Sequence, residues 1–277
     1  MTRTDPAHSA RSRVEHHVVD GIAVIRRRPA DSETSVPGVV FVHGAMDRAA
    51  SFSRVMRRLP ELDVMAIDRR GYAGSVESGI DEHLAGHADD VRRVVGWSGC
   101  DRVLVVGHSL GGTIALIAEI AGMPTVDSLA IFEAPMPWLP DYGGRGGVDA
   151  VRVGMANGPA AAAEHFMRNM IGDAGWNRLR DADRAARRAE GSALMAELVD
   201  VRRPEIEPDL TAIGVPVTVG LGSRSRPHLQ AAARALADQL PDAVLVELAE
   251  APHGAHLARP DDFASWVRTA RSRVRDD

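Results

Sequence analysis

Apolar positions along this chain fall into short continuous runs separated by stretches of helical period. "VEHHVVDGIAVIRRR" (14–28) reads as two short strands about Asp20-Gly21, a dipeptide suited to a hairpin turn. "GVVFV" (38–42) and "DVMAID" (63–68) are uninterrupted apolar runs, as expected of strands covered on both faces. A helical stretch is expected at about 50–59. A longer one, with an acidic beginning, covers 81–99. "RVLVVG" (102–107) predicts a strand, "SLGGTIALIAEIAG" (109–122) a helix and "SLAIFE" (128–133) another strand. Strand and helix alternate with short connections, the pattern of a mostly parallel sheet with helices on both faces.

The alternation stops from about 136 to 210, where Ala, Arg, Met and Gly dominate and the signals are mostly helical. It resumes with "PVTVGL" (216–221), a helix at 228–239, "AVLVEL" (243–248) and a last helix at 261–274. We therefore expect a polar tail over 1–12, one α/β core made of 13–135 and 211–277, and a helical insertion over 136–210. No internal repeat or low-complexity linker interrupts the chain.

Composition narrows the chemistry more than the fold. The net charge of −5 offers no electrostatic footprint for nucleic acid or anionic lipid. All 33 basic residues are arginine, which removes lysine Schiff bases, a pyridoxal-phosphate anchor and a Walker-A lysine. Cys100 is the single cysteine, so neither an intramolecular disulfide nor a thiolate metal cluster is expected. Its expected role is a small buried hydrophobe rather than a catalytic thiol. The N-terminus lacks the apolar stretch of a signal peptide, and the most apolar segment, 103–123, is too interrupted to span a membrane. These features predict a cytoplasmic protein without a nucleic-acid partner, with a homodimer left open.

The chemistry concentrates at Gly107-His108-Ser109-Leu110-Gly111, where a buried strand meets a helix. A residue at such a junction needs a tight, strained backbone, and small neighbours two positions away relieve clashes with strand and helix. The Ser109 hydroxyl is thereby exposed above the sheet edge. The first N–H groups of the helix lie beside it without intrahelical partners, where they favour negative charge and can stabilise an oxyanion.

On this G-x-S-x-G turn, with its strand before and helix after, the chain resembles the α/β-hydrolases, in particular capped serine esterases and lipase-like members. The resemblance runs from about 14 to 274, with the insertion its least diagnostic part. It implies an eight-stranded mostly parallel sheet, with helices on both faces and a helical cap inserted after strand 6. "HGAM" (43–46) after "VVFV" resembles the family's turn after strand 3, which makes the backbone N–H groups of Ala45 and Leu110 the expected oxyanion donors. His43 is expected to stabilise that turn. "DRRGYAGS" (68–75) resembles the loop after strand 4, with Asp68 an anchor rather than a catalyst.

The family order of serine, acid, histidine directs the search for a base to "AEAPHGAHLARPDDF". His253 stands seven residues before Pro260, the family spacing, and is preferred over His256, which is left as a loop or pocket residue. Pro252 replaces the glycine often found there. The acid departs from the common pattern, because Thr211 to Ala237, which includes the usual position after strand 7, holds no Asp or Glu. Some members carry it after strand 6, where Glu133 ends an otherwise apolar strand. A carboxylate there is costly unless paired or functional. Glu133 is therefore expected to orient His253. If it instead pairs with an arginine, Ser109 and His253 remain as a dyad.

Met136, Trp138, Met155, Met167, Met170, Trp176 and Met195 punctuate the insertion, either as an adaptable apolar acyl pocket or as packing onto the sheet. Met46, His108, Met136 and Trp138 are the expected substrate contacts. Arg145, Arg152, Arg168, Arg178 and Arg180 could hold an anion but suit an exposed helix face equally. The expected activity is serine-dependent hydrolysis of a small-molecule carboxylic ester, without metal or organic cofactor. A C–C bond hydrolase or lyase on the same scaffold and a non-catalytic ligand-binding protein are the alternatives, with perhydrolase or oxygenase chemistry behind them. Ser109 argues against the dehalogenase and epoxide hydrolase branches, which use an aspartate nucleophile.

Overall fold

The computed structural model describes residues 13–29, 36–139 and 144–274. The tail expected over 1–12 lies outside the described residues. In chain order the strands are β1 (Val14–Val19), β2 (Ile22–Arg27), β3 (Gly38–Val42), β4 (Asp63–Ile67), β5 (Val103–His108), β6 (Val126–Phe132), β7 (Val217–Gly222) and β8 (Ala243–Leu248). The helices are α1 (Ser53–Met56), α2 (Leu84–Ser98), α3 (Leu110–Ile120), α4 (Gly146–Asn157), α5 (Pro159–Arg178), α6 (Asp181–Ala189), α7 (Gly191–Asp200), α8 (Pro227–Gln239), α9 (Ala255–Ala258) and α10 (Pro260–Ser272). Among the described residues no helix is long and apolar enough to cross a membrane.

The eight strands form one sheet in the order β1-β2-β4-β3-β5-β6-β7-β8. The β1–β2 and β2–β4 pairs are antiparallel and the others parallel. The β1–β2 turn is made by Asp20 and Gly21 alone, both at positive φ (48° and 87°), the geometry that a two-residue hairpin demands.

The central strands are apolar on both faces through their middles because they serve two cores. Val40, Val42, Met65, Ile67, Val103, Val105, Leu129 and Ile131 pack under α2, α3 and α8. Their alternates Val39, Phe41, Val64, Ala66, Leu104, Val106, Ala130 and Phe132 pack under α1 and α10. Alternation of side chains along each strand divides one apolar run into two faces.

The helix expected over 50–59 is replaced by a 3₁₀ turn over Ala49–Phe52 and the single α turn α1. Ala49, Phe52 and Val55 are all buried at a spacing of three, which lines up on a 3₁₀ helix rather than an α-helix.

Helices α4 to α7 lie between β6 and β7. Their apolar side chains, including Ala163, Met167, Trp176, Leu194 and Leu198, form a third cluster with Met46 and Tyr72 from the loops after β3 and β4. Three buried acids tie this layer down. Glu197 pairs with the buried Arg69 at 2.6 Å and accepts a hydrogen bond from the Tyr72 hydroxyl. Glu190 accepts from Arg48 at 3.1 Å, and Asp200 accepts the Leu84 N–H at 2.7 Å. Positions 190, 197 and 200 share one helical face, so a single stripe anchors the insertion to the sheet loops.

Candidate active site

Parallel pairing brings three strand ends to one level. Val42 lies beside Gly107, and His108 beside Phe132, which in turn neighbours Gly220. The residues that follow these ends therefore meet at the carboxyl edge of the sheet. Ser109 donates its N–H to the Phe132 carbonyl at 2.8 Å, and Glu133 donates its N–H to the Gly220 carbonyl at 3.1 Å.

Ser109 occupies φ 53°, ψ −129°, a strained combination for a residue with a side chain. The flanking glycines are forced by close approach. A Cβ on Gly111 would stand 2.2 Å from the Val42 carbonyl oxygen, and one on Gly107 would stand 2.5 Å from the Gly112 Cα. Met46 (φ 57°) and Glu133 (φ 48°) are also left-handed, so half of the six such non-glycine residues among the described residues cluster here. Strain of this kind persists only where surrounding contacts dictate it.

Leu110 opens α3, so its N–H has no intrahelical acceptor. The Ala45 N–H finds no acceptor among the described residues either. The turn carrying Ala45 is braced by His43, whose Nδ1 lies 2.7 Å from the Gly44 carbonyl and whose Nε2 accepts the Arg69 N–H at 3.0 Å. These partners fix the Nδ1–H tautomer. Burial, with help from the Arg69 charge, lowers the pKa of this imidazole to about 3, so it stays neutral.

His253 Nδ1 lies 2.5 Å from Glu133 Oε2. Glu133 is completely buried, and its other oxygen accepts the Gly222 N–H at 2.7 Å. Glu133 makes no ion pair with an arginine among the described residues; its salt-bridge partner is His253. Ser109, His253, Ala45 and Leu110 line one cavity of about 570 Å³.

A second histidine–carboxylate pair lines the same cavity. His256 Nε2 lies 3.1 Å from Asp47 Oδ2, and Asp47 also accepts the Ser51 hydroxyl at 3.0 Å. Burial works against the Asp47 charge, but the bond to His256 outweighs it and holds the carboxyl well below the usual range. His108 donates its Nε2–H to the His253 carbonyl at 2.8 Å, bracing the loop that carries His253. Burial, then the neighbouring His256 and His253 rings, push the His108 pKa well below the ordinary histidine range. Asp47, His108 and His256 are also the one grouping of metal-ligand type among the described residues, with donor atoms within 4.8 Å of one another. His256 Nε2 and Asp47 Oδ2 pair with each other, while His256 Nδ1 and His108 Nδ1 are buried without a partner among the described residues. The H-x-x-H spacing of His253 and His256 was the available sequence signal for this second pair.

Of the expected substrate contacts, Met46 and His108 line the cavity. Met136 and Trp138 do not. Met136 is buried in the core beneath α3 and Trp138 packs against that core, while the alternate residues Pro135 and Pro137 face the cavity. Beyond Met136 the chain turns, closed by the Leu139 N–H donating to the Met136 carbonyl at 3.0 Å, which leaves Pro137 on the cavity side and Trp138 against the core. In the insertion, Met167 and Met170 line the cavity beside Phe166 and Ile171, Trp176 packs within the insertion, and Met155 is exposed. None of Arg145, Arg152, Arg168, Arg178 and Arg180 lines it. Arg152, Arg168 and Arg180 pair with carboxylates close by in the sequence. Arginines that do line the cavity are Arg187, Arg202, Arg224 and Arg226.

The profile of the alpha/beta hydrolase family matches residues 39–266, most of the chain. The chain belongs to that family. This alpha/beta hydrolase is 27% identical over 255 residues to a 2-succinyl-6-hydroxy-2,4-cyclohexadiene-1-carboxylate synthase from Serratia proteamaculans, covering 85% of this chain and 93% of that protein. Its fold is similar to an enol-lactonase from Burkholderia xenovorans, with a TM-score of 0.71 and 19% identity over 93% of this chain and all of that one. It is also similar to an alpha/beta hydrolase from Sphaerobacter thermophilus, with a TM-score of 0.68 and 24% identity, covering 93% of this chain and all of that one.

Proposed function

We propose that this alpha/beta hydrolase is a serine esterase, with Ser109 as nucleophile, His253 as base, Glu133 as acid and the Ala45 and Leu110 N–H groups as oxyanion donors. The observation that carries the reading is the pairing of buried Glu133 with His253, which lines the same cavity as the strained Ser109 turn. His253 Nε2 takes the Ser109 proton as Oγ bonds to the ester carbonyl carbon, and the two N–H groups hold the resulting oxyanion. Collapse breaks the bond to the leaving oxygen, which receives that proton from His253 and departs as the alcohol. Water, deprotonated by the same imidazole, then attacks the acyl-serine and releases the acid with Ser109 restored. Glu133 keeps the Nδ1–H in place and offsets the imidazolium charge at each turn. Helices α4 to α7 act as the cap, contributing Phe166, Met167, Met170 and Ile171 as apolar contacts for the acyl chain.

A fluorophosphonate probe with mass mapping tests this directly. We expect modification of Ser109 in the intact protein and none in Ser109→Ala or His253→Ala. A properly folded protein that resists the probe and leaves short-chain 4-nitrophenyl esters untouched overturns the reading. Whole-length similarity to a synthase supports one second reading, non-hydrolytic cleavage at the same serine. An active serine that is labelled while esters remain intact would favour it.

A further inference from the structure

We infer that the cavity is built for an ester whose acyl chain ends in a second carboxylate, with Arg187 as the anchor for that carboxylate. This rests on the serine hydrolase reading of the same cavity and adds its substrate class.

Charge bookkeeping around Arg187 carries the inference. Arg187 belongs to α6, lines the cavity and keeps only 15% of its side chain exposed. A guanidinium so placed normally meets a carboxylate in a close bidentate pair. Arg187 does not. Its short bond runs from Nη1 to a neutral group, the Met46 carbonyl, at 2.6 Å. The nearest carboxylate partner, Glu190, stands at 3.4 Å and is already engaged by Arg48 at 3.1 and 3.3 Å and by the Ala73 N–H at 3.0 Å. The Nε and Nη2 donors of Arg187 have no partner among the described residues.

Among the described residues the surroundings do not supply the missing anion. Asp47 is the one carboxylate among the described lining residues; its Oδ2 serves both His256 and Ser51, and it makes no ion pair with Arg187. Arg226, also on the lining, bonds to the Asn169 carbonyl and forms no ion pair among the described residues. Arg224 is answered outside the cavity by Glu250. Burial and the nearby Arg48 charge lower the pKa of Arg187 and outweigh the opposing pull of Glu190 and Asp47.

Position makes this charge a selector. Met46, whose carbonyl Arg187 grips, follows Ala45, the proposed oxyanion donor. A carboxylate on the guanidinium fork therefore lies near the reacting carbonyl and on the insertion side of it. Because the Arg187 anchor point, Met46, is the residue next to the oxyanion donor, a short linker between the two carbonyl carbons is called for, as in the half-ester of a short dicarboxylic acid.

The test compares monomethyl glutarate with methyl pentanoate, a pair of similar length differing in the terminal carboxylate, by pH-stat. A charge-assisted bidentate contact predicts a preference of about tenfold or more in kcat/KM for the half-ester, expressed mainly in KM. Arg187→Met should bring that ratio close to one, and Arg187→Lys should restore part of it. Glutarate should bind the wild-type protein in calorimetry and bind Arg187→Met at least about tenfold more weakly. Ser109 labelling with equal use of both esters, or a ratio unchanged in Arg187→Met, overturns the inference while leaving the hydrolase reading intact. If Ser109 is not labelled, the hydrolase reading fails by itself. Glutarate binding that depends on Arg187 then upholds the anion site, and its absence removes that as well.

Discussion

Replacing Glu133 by glutamine probes the proposed site most sharply, because the geometry leaves the amide no satisfactory orientation. In the native protein one carboxylate oxygen faces His253 Nδ1 at 2.5 Å and the other accepts the Gly222 N–H at 2.7 Å, with no solvent access. A glutamine has one acceptor end and one donor end. If its oxygen takes the Gly222 N–H, its NH₂ meets His253 Nδ1 and forces the proton onto Nε2. That nitrogen then cannot accept the Ser109 proton. With the opposite orientation His253 keeps its tautomer, but the NH₂ opposes a buried N–H. Leaving such donors unsatisfied costs about 1–3 kcal/mol of stability.

Either orientation also removes the negative charge that offsets the imidazolium. Loss of the correct tautomer in a triad of this kind lowers kcat by roughly 10⁴. That factor corresponds to about 5.5 kcal/mol of transition-state stabilisation. We therefore expect Glu133→Gln to lose at least about 10³ in kcat on an activated ester, with a smaller change in KM. The assay is steady-state turnover on wild type and variant, with a thermal melt to confirm folding. A folded Glu133→Gln within tenfold of wild-type kcat refutes the assignment, since a buried carboxylate 2.5 Å from the base cannot be both its orienting partner and dispensable.

Four further outcomes follow from named contacts. Gly111→Ala drives a Cβ to 2.2 Å from the Val42 carbonyl oxygen, so it should destabilise by about 1–3 kcal/mol in urea and abolish serine labelling. Gly96→Ala, inside α2 with open space around its Cβ, should instead stabilise by about 0.4–1 kcal/mol in the same titration. Glu197→Ala leaves the buried Arg69 without its carboxylate and should cost about 3–5 kcal/mol, and adding Arg69→Met should recover at least half if the orphaned charge is the cause. Burial raises the pKa of Glu119 to about 7 and leaves one of its oxygens without a partner. The folded protein then holds this proton longer than the unfolded chain, so stability falls as pH rises from about 4.5 to 7. Glu119→Gln should remove that fall and stabilise at pH 8, by on the order of 1 kcal/mol after allowance for partial solvent screening, and a difference that does not grow between pH 4.5 and 8 contradicts the argument.

How far the sequence foretold this arrangement depends on whether a side chain answers to local or distant neighbours. The β3, β5 and β6 runs were legible because a strand buried on both faces must be apolar on both through its middle, whatever packs on it. Ser109 was legible because the strain of its turn is a local matter, written in the glycines two residues to either side. Glu133 came from the resemblance, some members of which carry the acid after strand 6, once the usual stretch proved free of carboxylates; parallel register then places it beside the loop carrying His253. Met136 shows the opposite case: composition marked it as a contact, but whether residue 136 or its neighbours face the cavity is set by backbone direction after β6. The same holds for the acids of the insertion. Glu190, Glu197 and Asp200 look like ordinary polar positions on a helix, yet each is buried against a residue more than a hundred positions earlier. Burial inverts the meaning of their charge, from solubility to docking. Arg187 shares that inversion without the docking partner: its neighbours in sequence resemble it, and only the loop holding Met46 reveals that its charge is left for something outside the chain.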